Sequence, residues 1–153
     1  MADEATPGTG ELVRSTDSDL RPRLDPTALA VARFPRSWAP AQWPAGFVAL
    51  VRDNDEVTMV CAESEYAEGR LSDVAPLAIE PGWRRITFPG PLPWELVGFL
   101  ADVACRLAAA QIPFTSVSGF TTDHVLVRAA QADLALSVLA GNPAPPQRPG
   151  TNP

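Results

Sequence analysis

Gly82-Trp83-Arg84-Arg85-Ile86-Thr87-Phe88-Pro89-Gly90 opens the stretch that decides the fold, and an apolar run over 94–112 and two short segments, 114–122 and 123–128, complete it. The first piece is rich in aromatic and β-branched residues and closes on Pro-Gly, which predicts a strand. The apolar run has the length and period of a helix. Residues 114–120 have strand composition, Thr121-Thr122-Asp123 is turn-like, and 124–128 alternates Val125 and Val127 against Leu126. The reading is strand, helix, strand, tight turn, strand.

Pro93 suits the first position of that helix, where a missing N–H does no harm. At about 100° per residue, Glu95, Asp102 and Arg106 fall on one face, with Leu96, Leu100, Val103 and Leu107 beside them. Phe99 falls near the charged stripe, as a satellite of a Trp-rich loop or a contact to another subunit. Leu92 precedes Pro93, so no Ser, Thr, Asp or Asn caps the first turn. Glu95 offsets part of that loss through the helix dipole; the remaining free N–H groups take a carboxylate or water. Gly98 would cost this helix about 1 kcal/mol relative to Ala, which makes sense where a ligand or another chain approaches the backbone.

Working outward, 131–140 reads as a second amphipathic helix through Leu134, Val138 and Leu139, and Gly141-Asn142 is its stop signal. Upstream, 46–52 and 56–62 flank Asp53-Asn54-Asp55 as a hairpin. Its first strand has Phe47, Ala49 and Val51 on one face and Val48 and Leu50 on the other, so neither face is fully wet. Residues 28–34 predict a further strand. Prolines 35, 40 and 44 exclude a regular helix in the next stretch, where Trp38 and Trp43 are expected to anchor a loop. Residues 64–69 allow one helical turn, and 71–81 read as a connection. Residues 1–26 and 142–153, poor in large apolar side chains, read as a disordered leader and a Pro-rich tail.

With 153 residues, 46% of them hydrophobic and 20% charged, the chain is expected to be a soluble globular protein with one buried core region. A net charge of −6 argues against a nucleic-acid partner, which requires a clustered basic face. No apolar run reaches membrane-spanning length. Cys61 and Cys105 lack ligand spacing and are expected to be reduced, buried thiols of a cytoplasmic protein, with no metal or cofactor.

At Pro89-Gly90-Pro91-Leu92, Val97-Gly98-Phe99-Leu100-Ala101 and Leu107-Ala108-Ala109-Ala110-Gln111-Ile112 the chain resembles an ACT-type domain. It is similar to small tandem-ACT proteins in which an incomplete first unit precedes a more complete second one. Ser118 to Val127 adds to the likeness, since that group carries a Ser-Thr-Tyr-Asp-Thr-Asp signature running into a Leu-Val strand. The resemblance implies a ferredoxin-like α/β (α+β) fold of βαββαβ type, an antiparallel sheet with helices on one face. It implies an incomplete unit at 27–81 and a second at 82–141. It further implies effector binding in place of catalysis, an amino acid as ligand and a homodimer. The ligand positions carried over are Gly90, Trp94, Glu95, Leu96, Val97, Gly98, Ser118, Thr122 and Asp123. Gly119, Phe120 and Thr121 stand where the group has Thr-Tyr-Asp, and His124 replaces an aromatic residue. The pocket therefore takes a less cationic ligand or is kept for assembly, and a ligand-free interaction module of the same fold is the alternative. An enzyme built on Asp123, His124 and Ser118 is disfavoured, because neighbouring strand residues face opposite ways.

Overall fold

The computed structural model describes residues 21–66, 71 and 73–141. The leader over 1–20, the tail beyond 141 and the end of the expected helical turn at 67–69 lie outside the described residues. Seven strands form one antiparallel sheet: β1 (Arg23–Leu24), β2 (Leu29–Pro35), β3 (Ala49–Arg52), β4 (Glu56–Ala62), β5 (Ala78–Phe88), β6 (Phe114–Ser118) and β7 (Asp123–Arg128). Among the described residues three α-helices accompany them, α1 (Glu63–Tyr66), α2 (Phe99–Ala109) and α3 (Ala132–Leu139), the last preceded by a 3-10 turn over Ala129–Gln131. No helix among the described residues is long and apolar enough to cross a membrane.

The sheet order is β3-β4-β2-β5-β7-β6, with β1 lying on β5 as well. β5 serves two units at once. Its first half pairs with β2 (Leu29 opposite Trp83, Arg33 opposite Ala78), and its second half pairs with β7 (Trp83 opposite Arg128 through Phe88 opposite Asp123). The first unit is therefore β5-β2-β4-β3 and the second β1-β5-β7-β6, each with the strand order of a ferredoxin-like fold. The sequence predicts a connection up to residue 81, because signals for a strand are weak there. Instead the β2–β5 register shifts between Leu29 and Val31, and Gly82 takes φ +80° at that irregularity. A bulge absorbs the proline that would otherwise interrupt the ladder.

One face of the sheet carries the helices. Ile86, Phe88, Val125 and Val127 meet Val103 and Leu107 of α2 and Ala135, Val138 and Leu139 of α3. In the first unit the long helix is missing, and the 36–48 loop takes its place. There Trp38 is buried and stacked on Phe34, with ring centroids 3.8 Å apart. Trp43 stays exposed, so one of the two expected anchors holds the loop. The Asp53 carboxylate accepts the N–H groups of Asp55 and Glu56 at 2.8 and 2.9 Å and fixes the β3–β4 turn.

The opposite face is concave. Phe47, just before β3, lies 5.1 Å from the His124 ring on β7. Those strands are four places apart in the sheet, about 19 Å if it were flat at ~4.8 Å per strand. The sheet curls around Leu29, Val60 and Leu126, with Phe47, Ala49, Trp83 and Val117 packed against them.

The expected helix start at Pro93 is corrected. Leu92 N–H donates to the Thr121 carbonyl at 2.9 Å, residues 93–96 make a turn, and Gly98 at φ +85° closes the loop before α2 begins at Phe99. Leu96 therefore lies outside the helix, and Leu100 in its first turn is exposed. Phe99 packs edge-to-face on Phe88 at 4.9 Å, and Arg106 pairs with Asp102 one turn back on the solvent side. Cys61 is buried as expected, and burial pushes its thiol up. Cys105 is exposed, because α2 buries only Val103 and Leu107.

Candidate functional site

A hollow of about 620 Å³ opens between the 92–98 loop with the first turn of α2 and the 118–123 turn joining β6 to β7. Two segments some twenty residues apart meet there because β6 and β7 return antiparallel beside β5 (Ser118 opposite Asp123, Phe88 opposite Asp123). Two hydrogen bonds fix the geometry. The Leu92 N–H donates to the Thr121 carbonyl, and the Gly119 N–H donates to the Thr122 carbonyl at 2.8 Å. Gly90 permits the first of these: a Cβ at that position would stand 1.7 Å from the Thr121 carbonyl oxygen.

One wall of the hollow is Gly98, Phe99, Leu100 and Ala101. The N-cap Gly98 brings no side chain, so the first-turn N–H groups have no cap. The other wall is Ser118 to Asp123. Asp123 is half-buried and pairs with no cation among the described residues. Trp94 and Phe120 meet across the rim, with ring centroids 5.3 Å apart. The arrangement offers donors for an anion, a carboxylate for a cation and aromatic surface for an apolar group.

Of the nine positions expected from sequence, Trp94, Leu96, Gly98, Ser118, Thr122 and Asp123 line this hollow. Gly90 stands behind it as the close-approach position, while Glu95 and Val97 do not line it. Val97 is 94% exposed. Sequence reasoning missed Phe99, Leu100, Ala101 and Phe120. The first three fall inside a helix expected to have begun at Pro93; Phe120, an aromatic between Gly119 and Thr121, was the available signal.

His124 turns away from this hollow. Its Nδ1 lies 3.0 Å from Thr87 Oγ1 and its Nε2 3.3 Å from Thr122 Oγ1, on the concave side beside Phe47. Burial, and then the Arg85 charge, hold its pKa below the usual imidazole range against the opposing pull of Asp123. Asp123 and His124 thus face different cavities, and Ser118 stands opposite Asp123. Among the described residues no group of three or more His, Cys, Asp and Glu is placed to hold a metal ion.

A family model described as ACT domain matches residues 78–141, from the start of β5 to two residues past α3. The chain is similar to a structural-genomics protein from Agobacterium tumefaciens at 31% identity, covering 75% of this chain and 82% of that one with a TM-score of 0.63. A Vibrio cholerae protein described as of unknown function and possibly of transport shares 22% identity over 79% and 88% of the two chains, TM-score 0.58. The ligand-free regulatory subunit of aspartate kinase from Thermus thermophilus shares 13% identity over 78% and 95%, TM-score 0.54, a likeness of fold. Among curated proteins none matches the chain.

Proposed function

The chain belongs to the ACT-domain family, and from that premise we propose that it is a regulatory protein whose second unit binds an amino acid in the hollow between α2 and the 118–123 turn. One observation carries the reading: an uncapped helix start and an unpaired carboxylate line the two walls of a single cavity. The ligand carboxylate goes to the N–H groups of Phe99 to Ala101, where the helix dipole favours an anion. Its ammonium goes to Asp123, and an apolar side chain lies against Trp94 and Phe120. A cavity of about 620 Å³ has room for any of the twenty amino acids. The protein works as a homodimer and carries out no chemistry on the ligand.

The test is a thermal-shift screen of the twenty amino acids, followed by titration calorimetry of the hits on Asp123→Asn. Loss of the charge-assisted bond should weaken binding by on the order of ten- to a hundredfold. A hit whose affinity ignores Asp123→Asn binds elsewhere and sinks the assignment. A second reading, a ligand-free interaction module, is favoured by the exposure of Trp94 at the rim of the hollow and of Val97 in the same loop. It takes the lead if no amino acid raises the melting temperature.

A further inference from the structure

The concave face of the sheet holds a second hollow, of about 880 Å³. Residues 46–51 bound it on the β3 side and 116–119 on the β6 side, with Arg85 and His124 between them. Trp83, Arg85 and Thr87 alternate onto this face of β5, opposite the helices, as their cross-strand partners Arg128, Leu126 and His124 do on β7.

This face has donors that the protein does not satisfy. The Arg85 guanidinium has five N–H groups, yet among the described residues it makes one hydrogen bond, from Nη2 to Asp25 at 2.6 Å. Its Nε is buried without an acceptor, and the Trp83 indole N–H two residues earlier is in the same state. These two are the buried side-chain nitrogens without a partner among the described residues, and both stand on one face of one strand. The Phe47 ring covers the guanidinium at 4.3 Å and meets His124 edge-on. Phe47 follows Gly46, which has φ +75°, at the end of the 36–48 loop that replaces a helix. His124 is already engaged by two hydroxyls, so Arg85 supplies the cationic donors of this hollow.

We propose that the concave face is a second small-molecule site, separate from the α2 hollow, which takes a carboxylate with a flat apolar body. The carboxylate accepts from the free N–H groups of Arg85, and the body takes the place of the Phe47 ring over the guanidinium, against Val117. Such a group meets the acceptor deficit with the two oxygens that suit a guanidinium edge.

The probe is sodium benzoate, titrated into the full chain and followed by amide and imidazole NMR shifts, with benzamide as the neutral isostere. Benzoate should shift Arg85, Val117, His124 and the 47–51 amides. Benzamide should bind at least about tenfold more weakly, since it lacks the charge. Arg85→Gln should abolish the response, but it also removes the partner of Asp25 and could loosen the fold. Asp25→Asn keeps the guanidinium and removes the negative charge that competes for it, so it should tighten benzoate binding, an effect that unfolding cannot mimic. The proposal is overturned if benzoate shifts only Gly98 to Ala101, if benzamide binds equally well, if no concave-face residue responds, or if Asp25→Asn leaves affinity unchanged or weakens it.

Discussion

Gly90 and Gly98 look alike in the sequence, and each is singular for a different reason. A side chain at Gly90 would collide with the Thr121 carbonyl, so that glycine lets two loops touch. Gly98 has open space around a Cβ but sits at φ +85°, so it is required by its backbone angle. Sequence reasoning assigned the close approach to Gly98 because it placed that residue inside a helix, where a glycine needs an excuse. Composition marks a glycine; only the fold around it says whether space or torsion demands it. His124 gives a prediction at the same scale. Its pKa in the folded chain lies below the ordinary imidazole value, first through burial and then through Arg85. Between that depressed value and about 6.5, the unfolded chain binds more protons than the folded one. Stability should therefore be full above pH 7 and fall as the pH drops through 6.5 and below. Thermal melts from pH 8 to 5 should show that fall, and His124→Gln should flatten it. A wild-type melting temperature that rises towards pH 5.5 contradicts the assignment.

At the level of elements, the strands were legible where side chains alternate and turns are polar, as in the β3–β4 hairpin. They were illegible where a proline sits in a strand. Pro81 hid the first half of β5, and Pro93 advertised a helix start that Gly98 postpones to Phe99. The site suffered less, because both walls are local sequence features even though the helix boundary moved. β1 was the least visible element: two residues, Arg23 and Leu24, within a stretch that reads as leader. It pairs with Thr87 and Ile86, puts Leu24 against the α2–α3 core, and is tied down by the Asp25–Arg85 ion pair, whose side chains are largely shielded from solvent. No sequence period can arise in two residues; their role comes from the edge of β5 they cover. Leu24→Ala should cost about 1 kcal/mol, roughly half the value of a fully buried leucine. Removing residues 1–26 should cost more, since it also uncovers the strand edge. Urea denaturation reads both; an unchanged midpoint in the truncated chain would show that β1 contributes nothing.

The whole molecule is a curled sheet with a hollow on each side of the β6–β7 turn, and Ser118 and Gly119 belong to both. Trp94, Leu96 and Phe120, which line the outer one, are exposed, as is Val97 next to Leu96 in the chain. A surface so apolar is a burden on a monomer, and it faces away from the core that α2 and α3 share. Light scattering at tens of micromolar, where modest interfaces still associate, should give a dimer mass, and Val97→Glu should shift it towards the monomer. A wild-type monomer throughout that range rules out this surface as the dimer contact. The curl also brings distant parts of the chain into register. Arg21 and Pro22, just before β1, line one hollow with Leu139, Ala140 and Gly141 at the end of α3. The second unit thus runs β5, α2, β6, β7, α3 and then, in space but not along the chain, β1. Its order is a circular permutation of the contiguous one, with the closing strand moved to the front. The second unit is consequently incomplete as a stretch of gene, because it borrows β1 from ahead of the first unit, and the two units share β5. Neither can be excised as a module, and a crossover between them by recombination would leave both halves with an open edge.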